Sequence, residues 1–137
     1  MVRPIITDLL LLQKKSVPAT AADLNTAQDL LDTLQANAHH CVGMAANMIG
    51  VQKRIIAVSL GGIPVVMLNP VLVRHAGTPF TAQEGCLSLS GIRSAQRYPS
   101  VTVSFQDRNL RPQQQSFSGL TAQIVQHEMD HLEGILI

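Results

Sequence analysis

The sequence predicts an α+β fold. Three observations point there: a helical apolar stripe in the N-terminal third, two pairs of strand-like runs behind it, and a C-terminal helix that carries the polar chemistry. Strands gathered ahead of a terminal helix, rather than alternating with helices, separate α+β from α/β. At 137 residues there is room for a single domain, residues 1–137, with one modest core.

Ala21 to His40 reads as a helix because Leu24, Ala27, Leu31, Leu34 and Ala38 recur at three- and four-residue intervals. Arg54 to Leu60 and Ile63 to Asn69 are β-rich runs flanking Gly61-Gly62, a pair suited to a tight hairpin turn. Val71 to Val73 extends the second run past Pro70. Val101 to Gln106 and Gln113 to Phe117 form another pair around Asp107-Arg108-Asn109. In the final helix Leu120, Ile124, Val125 and Leu132 make one apolar face, with Ser118 at the N-cap and Gly134 at the C′ position.

Composition narrows the class. A hydrophobic content of 46% with 14% charged residues fits a folded globule rather than a disordered chain. A formal net charge of +1 gives no reason to expect a nucleic-acid partner. The apolar run Ile5 to Leu12 is interrupted by Asp8 and followed by Lys14-Lys15, the wrong order for a signal peptide, and it is too short to span a bilayer. Two cysteines, one of them a candidate ligand, leave no structural disulfide, so a reducing cytoplasmic compartment is expected.

The chemistry is concentrated in His127-Glu128-Met129-Asp130-His131. Two histidines four apart on a helix stand one turn apart on one side, with about 5–6 Å between their Cβ atoms. Both imidazoles can reach one divalent ion, and Glu128 beside them can hold a water on it. They share the side of the apolar stripe and so point inward, where unpartnered imidazoles would each cost roughly 1–3 kcal/mol. A pair of core histidines bonded to the backbone is the alternative. A third ligand must come from elsewhere. Only six residues follow His131, and Glu133 among them lies on the opposite helix face. Upstream, Cys86 stands in Glu84-Gly85-Cys86-Leu87-Ser88, a polar segment unlike an apolar core run. A thiolate with two imidazoles leaves one open tetrahedral position, as a catalytic metal requires.

Glu84-Gly85-Cys86-Leu87-Ser88 followed by Gln126-His127-Glu128-Met129-Asp130-His131-Leu132 resembles the second and third signature motifs of the peptide deformylases. The family's first motif, G-x-G-x-A-A-x-Q, has its counterpart in Cys41-Val42-Gly43-Met44-Ala45-Ala46-Asn47-Met48, and the resemblance runs from near residue 3 to the C-terminus. It implies antiparallel sheets wrapped around a central C-terminal helix that bears the H-E-x-x-H motif. It also implies a hydrolase that removes the formyl group from N-formylmethionyl peptides of new proteins. One divalent ion on Cys86, His127 and His131 is implied, Fe2+ or Zn2+, with Ni2+ or Co2+ able to substitute. Glu128 is the implied base and the Leu87 N–H an oxyanion donor. Gly43 and Met44 are expected along the substrate, the glycine letting a peptide backbone approach in β fashion, and Arg93 at the groove edge. Glu84 and Arg97 are expected to pair and fix the cysteine loop.

Two residues depart from the first motif. Cys41 replaces its first glycine and is read either as a packed small residue or as a thiol near the metal open to oxidation. Met48 replaces the glutamine whose amide, in the family, donates to the formyl oxygen. A thioether has no donor, and losing one preorganised donor typically costs ~10²–10³ in rate. Slow deformylation is therefore expected; the alternative is a degenerate paralogue that keeps its metal and catalyses little. A metalloprotease is disfavoured by the missing downstream ligand. Many family members continue past the histidine helix into a segment that in some docks on the ribosome, whereas this chain stops at Ile137, so ribosome contact would need another surface.

Overall fold

A single helical turn, α1 (Leu9–Leu12), precedes a 3-10 turn (Ala21–Asp23) that runs straight into α2 (Leu24–Ala36). These elements belong to a computed structural model that describes residues 1–137. Thr20 opens the longer helical segment with reciprocal bonds. Its hydroxyl accepts the Ala22 N–H at 3.3 Å, and the Asp23 carboxylate accepts the Thr20 N–H at 2.8 Å, satisfying donors the first turn leaves unpaired. Ala27, Leu30, Leu31 and Leu34 are buried along α2. The helix stops four residues short of the predicted His40, and Ala38 is exposed. Asn37 explains the stop, because its side-chain amide donates to the Thr33 carbonyl at 2.8 Å and competes for the acceptors that further turns would use.

Five strands make one antiparallel sheet in the order β1 (Gly43–Ala45), β2 (Ile55–Leu60), β3 (Ile63–Ala76), β6 (Ser100–Gln106) and β7 (Pro112–Ser118). The remaining two, β4 (Phe80–Cys86) and β5 (Leu89–Arg97), pair only with each other. The β2–β3 hairpin closes at Leu60 opposite Ile63, and Gly61 and Gly62 both take positive φ, as a two-residue turn needs. The second predicted pair is present as β6 and β7. The extension past Pro70 goes further than expected, to Ala76, with a register shift between Leu68 and Val71. A proline lacks the N–H for a ladder and is tolerated at such an irregularity. Asn69, at φ 53, turns the strand there and binds Ala19 through both its amide atoms, at 2.8 and 2.9 Å.

The β4–β5 hairpin is absent from the sequence reading. Its buried positions are Ala82, Glu84, Leu89, Ala95 and Arg97, so two of the five are charged and neither strand shows an apolar alternation.

β2 is buried on both faces. Ile55 and Ala57 pack with Leu30, Leu34, Met44 and Met48 on the α2 side, while Ile56 and Val58 pack with Val125 and Leu132 on the other. The second set belongs to α3 (Gly119–Leu132), which lies between the large sheet and the hairpin and is thus the central helix of the fold. Two details of α3 differ from expectation. Ser118 holds the N-cap position without a side-chain cap bond. Leu120 is 68% exposed and sits at a cavity mouth rather than in the core. Gly134 does occupy C′, at φ 77, and the Ile135 N–H returns to the Asp130 carbonyl at 3.1 Å.

A Cβ placed on Gly134 would stand 2.2 Å from the Gln13 carbonyl oxygen, whereas one on Gly62 would meet nothing within 4 Å. Both positions carry the left-handed penalty of about 1–2 kcal/mol, but only Gly134 adds a backbone collision. Gly134→Ala is therefore expected to lower the urea midpoint clearly more than Gly62→Ala; equal midpoints would mean the chain end is not held against Gln13.

Candidate active site

α3 presents His127 and His131 one turn apart, with their Nε2 atoms 3.1 Å from each other. The third donor comes from the hairpin. Cys86 ends β4 beside a register shift, immediately before the Leu87-Ser88 turn, and its sulfur accepts the Ser88 N–H at 3.4 Å. The Cys86 sulfur and nitrogens of the two rings all lie within 4.8 Å of one another. Three donors from separate stretches of chain converge on one point.

Hydrogen bonding orients them. His127 Nδ1 lies 2.7 Å from Glu84 Oε1, which keeps the ring proton on Nδ1 and directs the Nε2 lone pair at the convergence point. Glu84 also takes the Arg97 guanidinium in bidentate fashion, at 2.9 and 2.7 Å. Arg97 reaches on to Asp130 at 2.6 Å and to the Gln96 carbonyl at 3.3 Å. Burial raises the Glu84 carboxyl, and the bonds from Arg97 and His127 outweigh it, so the group stays below its ordinary range. Asn47, fully buried, donates to the His131 carbonyl at 2.9 Å.

The same burial works against charge elsewhere in the cluster. It pushes the Cys86 thiol up to about 11, helped by Glu128, and the Glu128 carboxyl up to about 8, helped by Glu84. It pushes His131 down to about 3, with His127 adding to the effect. Glu128 Oε1 is buried without a partner, and His131 Nδ1 faces the Ile135 backbone outside hydrogen-bond geometry. A thiol and two imidazoles around one point, with an unpaired carboxylate oxygen in the adjoining cavity, suit a divalent cation, which favours the thiolate and the neutral rings.

The site opens into a cavity of about 510 Å³. Cys41, Gly43, Met48, Leu87 and Glu128 line it with Cys86 and His127. Gly43 must lack a side chain, since a Cβ would sit 2.8 Å from both Glu128 Oε2 and Ile124 Cγ2. Met48 is 1% exposed, and its sulfur accepts the Ala45 N–H at 3.4 Å. The Leu87 N–H finds no acceptor within the chain. Cys41 is partly packed against the α2-side core and donates its thiol proton to the Gly43 carbonyl at 3.1 Å; burial pushes that thiol up to about 11.

Two of the expected substrate residues lie off the cavity lining. Met44 is fully buried and points into the core beneath β1, so its side chain does not line the cavity. Arg93 also lies outside the lining; its guanidinium donates to the Ser90 carbonyl at 3.1 Å. Glu133, the downstream ligand a protease would need, is engaged by Arg54 at 3.0 Å and Lys15 at 3.4 Å. Asp130, Asn47 and the cavity-lining His40 were missed by the sequence reading. Asp130 alone carried a signal, being a carboxylate inside the histidine motif itself.

An H-E-x-x-H helix facing a half-buried cysteine, with a glycine-floored cavity over the carboxylate, defines a metal-dependent hydrolase. The family model for polypeptide deformylase matches residues 4–137. The peptide deformylase of Clostridium beijerinckii is 50% identical over 137 residues, covering 100% of both chains. A crystal structure of a peptide deformylase from Legionella pneumophila superposes with TM-score 0.89 at 33% identity, covering 99% of this chain and 83% of that one. A Met-Ala-Ser-bound peptide deformylase from Acinetobacter baumannii gives 0.88 at 29% identity, covering 99% and 97%. The chain belongs to the peptide deformylase family, metal-dependent hydrolases that remove the formyl group from N-formylmethionyl peptides.

Glu84→Gln removes the charge that Arg97 and His127 share. Loss of such a partner behind a metal-ligating histidine typically weakens metal affinity 10–100-fold, and chelator competition on the purified variant should read that loss. Unchanged affinity would show that the His127–Glu84 bond does not tune the site.

Proposed function

We propose that the chain deformylates formylmethionyl peptides with Glu128 as proton carrier, at a rate limited by Met48. The observation that carries this is the buried, unpartnered oxygen of Glu128, which lines the same cavity as Cys86 and His127 of the Cys86-His127-His131 donor set. Those three residues would hold one ion, Fe2+ or Zn2+. A divalent ion so held supplies Lewis acidity to a water and to the formyl carbonyl. Glu128 takes a proton from the attacking water and returns it to the departing amine, so the carbon–nitrogen bond breaks with release of formate and a free N-terminal methionine. The free Leu87 N–H supports the reading that it donates to the developing oxyanion.

Met48 is where this chain differs. Its sulfur accepts a backbone N–H where the family's glutamine would donate to substrate. One donor to the oxyanion is thus lost, and the backbone of Leu87 carries the remainder. The peptide is read as lying extended along β1, whose outer side borders the cavity through Gly43. No helix is long and apolar enough to cross a membrane.

Met48→Gln is expected to raise formate release from a formyl-Met peptide at least tenfold, toward the ~10²–10³ attributed to one oxyanion donor; an unchanged rate removes Met48 as the limiting residue. Glu128→Ala should lose hydrolysis while metal content by elemental analysis stays at one ion per chain. Wild-type turnover in that variant would dismiss Glu128 as the base. Wild-type protein that binds metal yet releases no formate would favour the degenerate paralogue instead.

A further inference from the structure

The chargeable groups around the cavity are unevenly used. Glu84 is bound to Arg97 and His127, Glu128 is buried, and Cys86 and His127 belong to the donor set. Cys41 is bound to the Gly43 carbonyl, so among the lining residues this leaves His40, which is exposed, in a lining that holds no lysine, arginine or exposed carboxylate. His40 is held in place: its N–H donates to the Asn37 carbonyl at 3.1 Å, and its ring meets His39 edge-on at 4.1 Å.

The Ser59 N–H donates to the Val42 carbonyl at 2.9 Å, which continues the pairing of β1 with β2 one residue back from Gly43. An extended peptide beside that segment advances ~3.3 Å per residue. His40 stands three residues before Gly43, at the end of the 37–40 turn, so a peptide read as running back past Gly43 would carry its second or third following residue toward His40.

We propose that His40 recognises a carboxylate two or three residues after the formylmethionine, offered by an acidic side chain or by the C-terminus of a short peptide. The proposal rests on the deformylase reading above. An imidazole offers ring N–H donors and, when protonated, a positive charge. An ammonium would find no exposed carboxylate in this lining. The group is remote from the formyl carbon, so it acts on substrate and transition state alike and its effect falls on KM. An exposed charge pair of this kind is worth about two- to fivefold in affinity.

The test compares formyl-Met-Ala-Asp-Asp, formyl-Met-Ala-Asn-Asn and formyl-Met-Ala-Lys-Lys, all C-terminally amidated, with formyl-Met-Ala-Ala as acid and as amide. The wild type should favour Asp over Asn by about two- to fivefold in kcat/KM, through KM. The acid-to-amide ratio shows whether a terminal carboxylate is read as well as a side chain. His40→Asn should level these ratios. His40→Glu should invert the order so that the Lys peptide leads, which a packing defect does not do. Equal values for Asp and Asn in the wild type, or a ratio unchanged in His40→Asn, overturns the proposal. NMR titration of the wild type with the same peptides decides the case in which no formate is released. Selectivity in binding then upholds His40 while hydrolysis fails; uniform binding rejects both.

Discussion

The buried guanidinium of Arg97 is the joint on which the site depends. The β4–β5 hairpin shares no ladder with the large sheet, yet it carries Cys86, while α3 carries both histidines. Arg97 ties the two by holding Glu84 on its own hairpin and Asp130 on the helix, and Glu84 extends the tie to His127. A buried ion pair contributes little net stability, because desolvation offsets most of its attraction. What it contributes is geometry: the fork of a guanidinium accepts only certain approaches, so the hairpin can sit on the helix in few ways. The sulfur is thereby brought within reach of the two rings without a continuous strand to carry it.

That arrangement also explains what could and could not be read from the chain. The histidine pair was legible because helical spacing alone fixes which residues share a side, and Cys86 because a thiol in a polar glycine segment is out of place as core. The β2–β3 and β6–β7 hairpins were legible from β-branched runs and turn residues. The β4–β5 hairpin was not, since its inward positions set the charged Glu84 and Arg97 among Ala82, Leu89 and Ala95 and break the usual pattern. Met44 lies in a three-residue strand, too short for any period to say which way its side chain faces. The end of α2 turned on one local competition at Asn37 that the apolar stripe does not register.

On the proposed mechanism, Met48 serves packing and chemistry in opposite directions. Its thioether fills the core beneath β1 beside Met44 and Ile55 and accepts a backbone N–H that would otherwise lack a partner there. For the fold, a flexible apolar acceptor is a good fit. For an anion forming above it, a group with no hydrogen to give is a poor one.

β1 has a single hydrogen-bonded neighbour, β2, so the cleft is in effect an unfinished sheet. Open strand margins attract other chains indiscriminately, and natural folds keep them short or shielded. Here the margin is three residues long and recessed beside a cavity. The nascent peptide that fills it would complete the sheet for the lifetime of the complex. Capture of substrate and protection from self-association would then be one and the same event, and the resting state would be the more adhesive of the two.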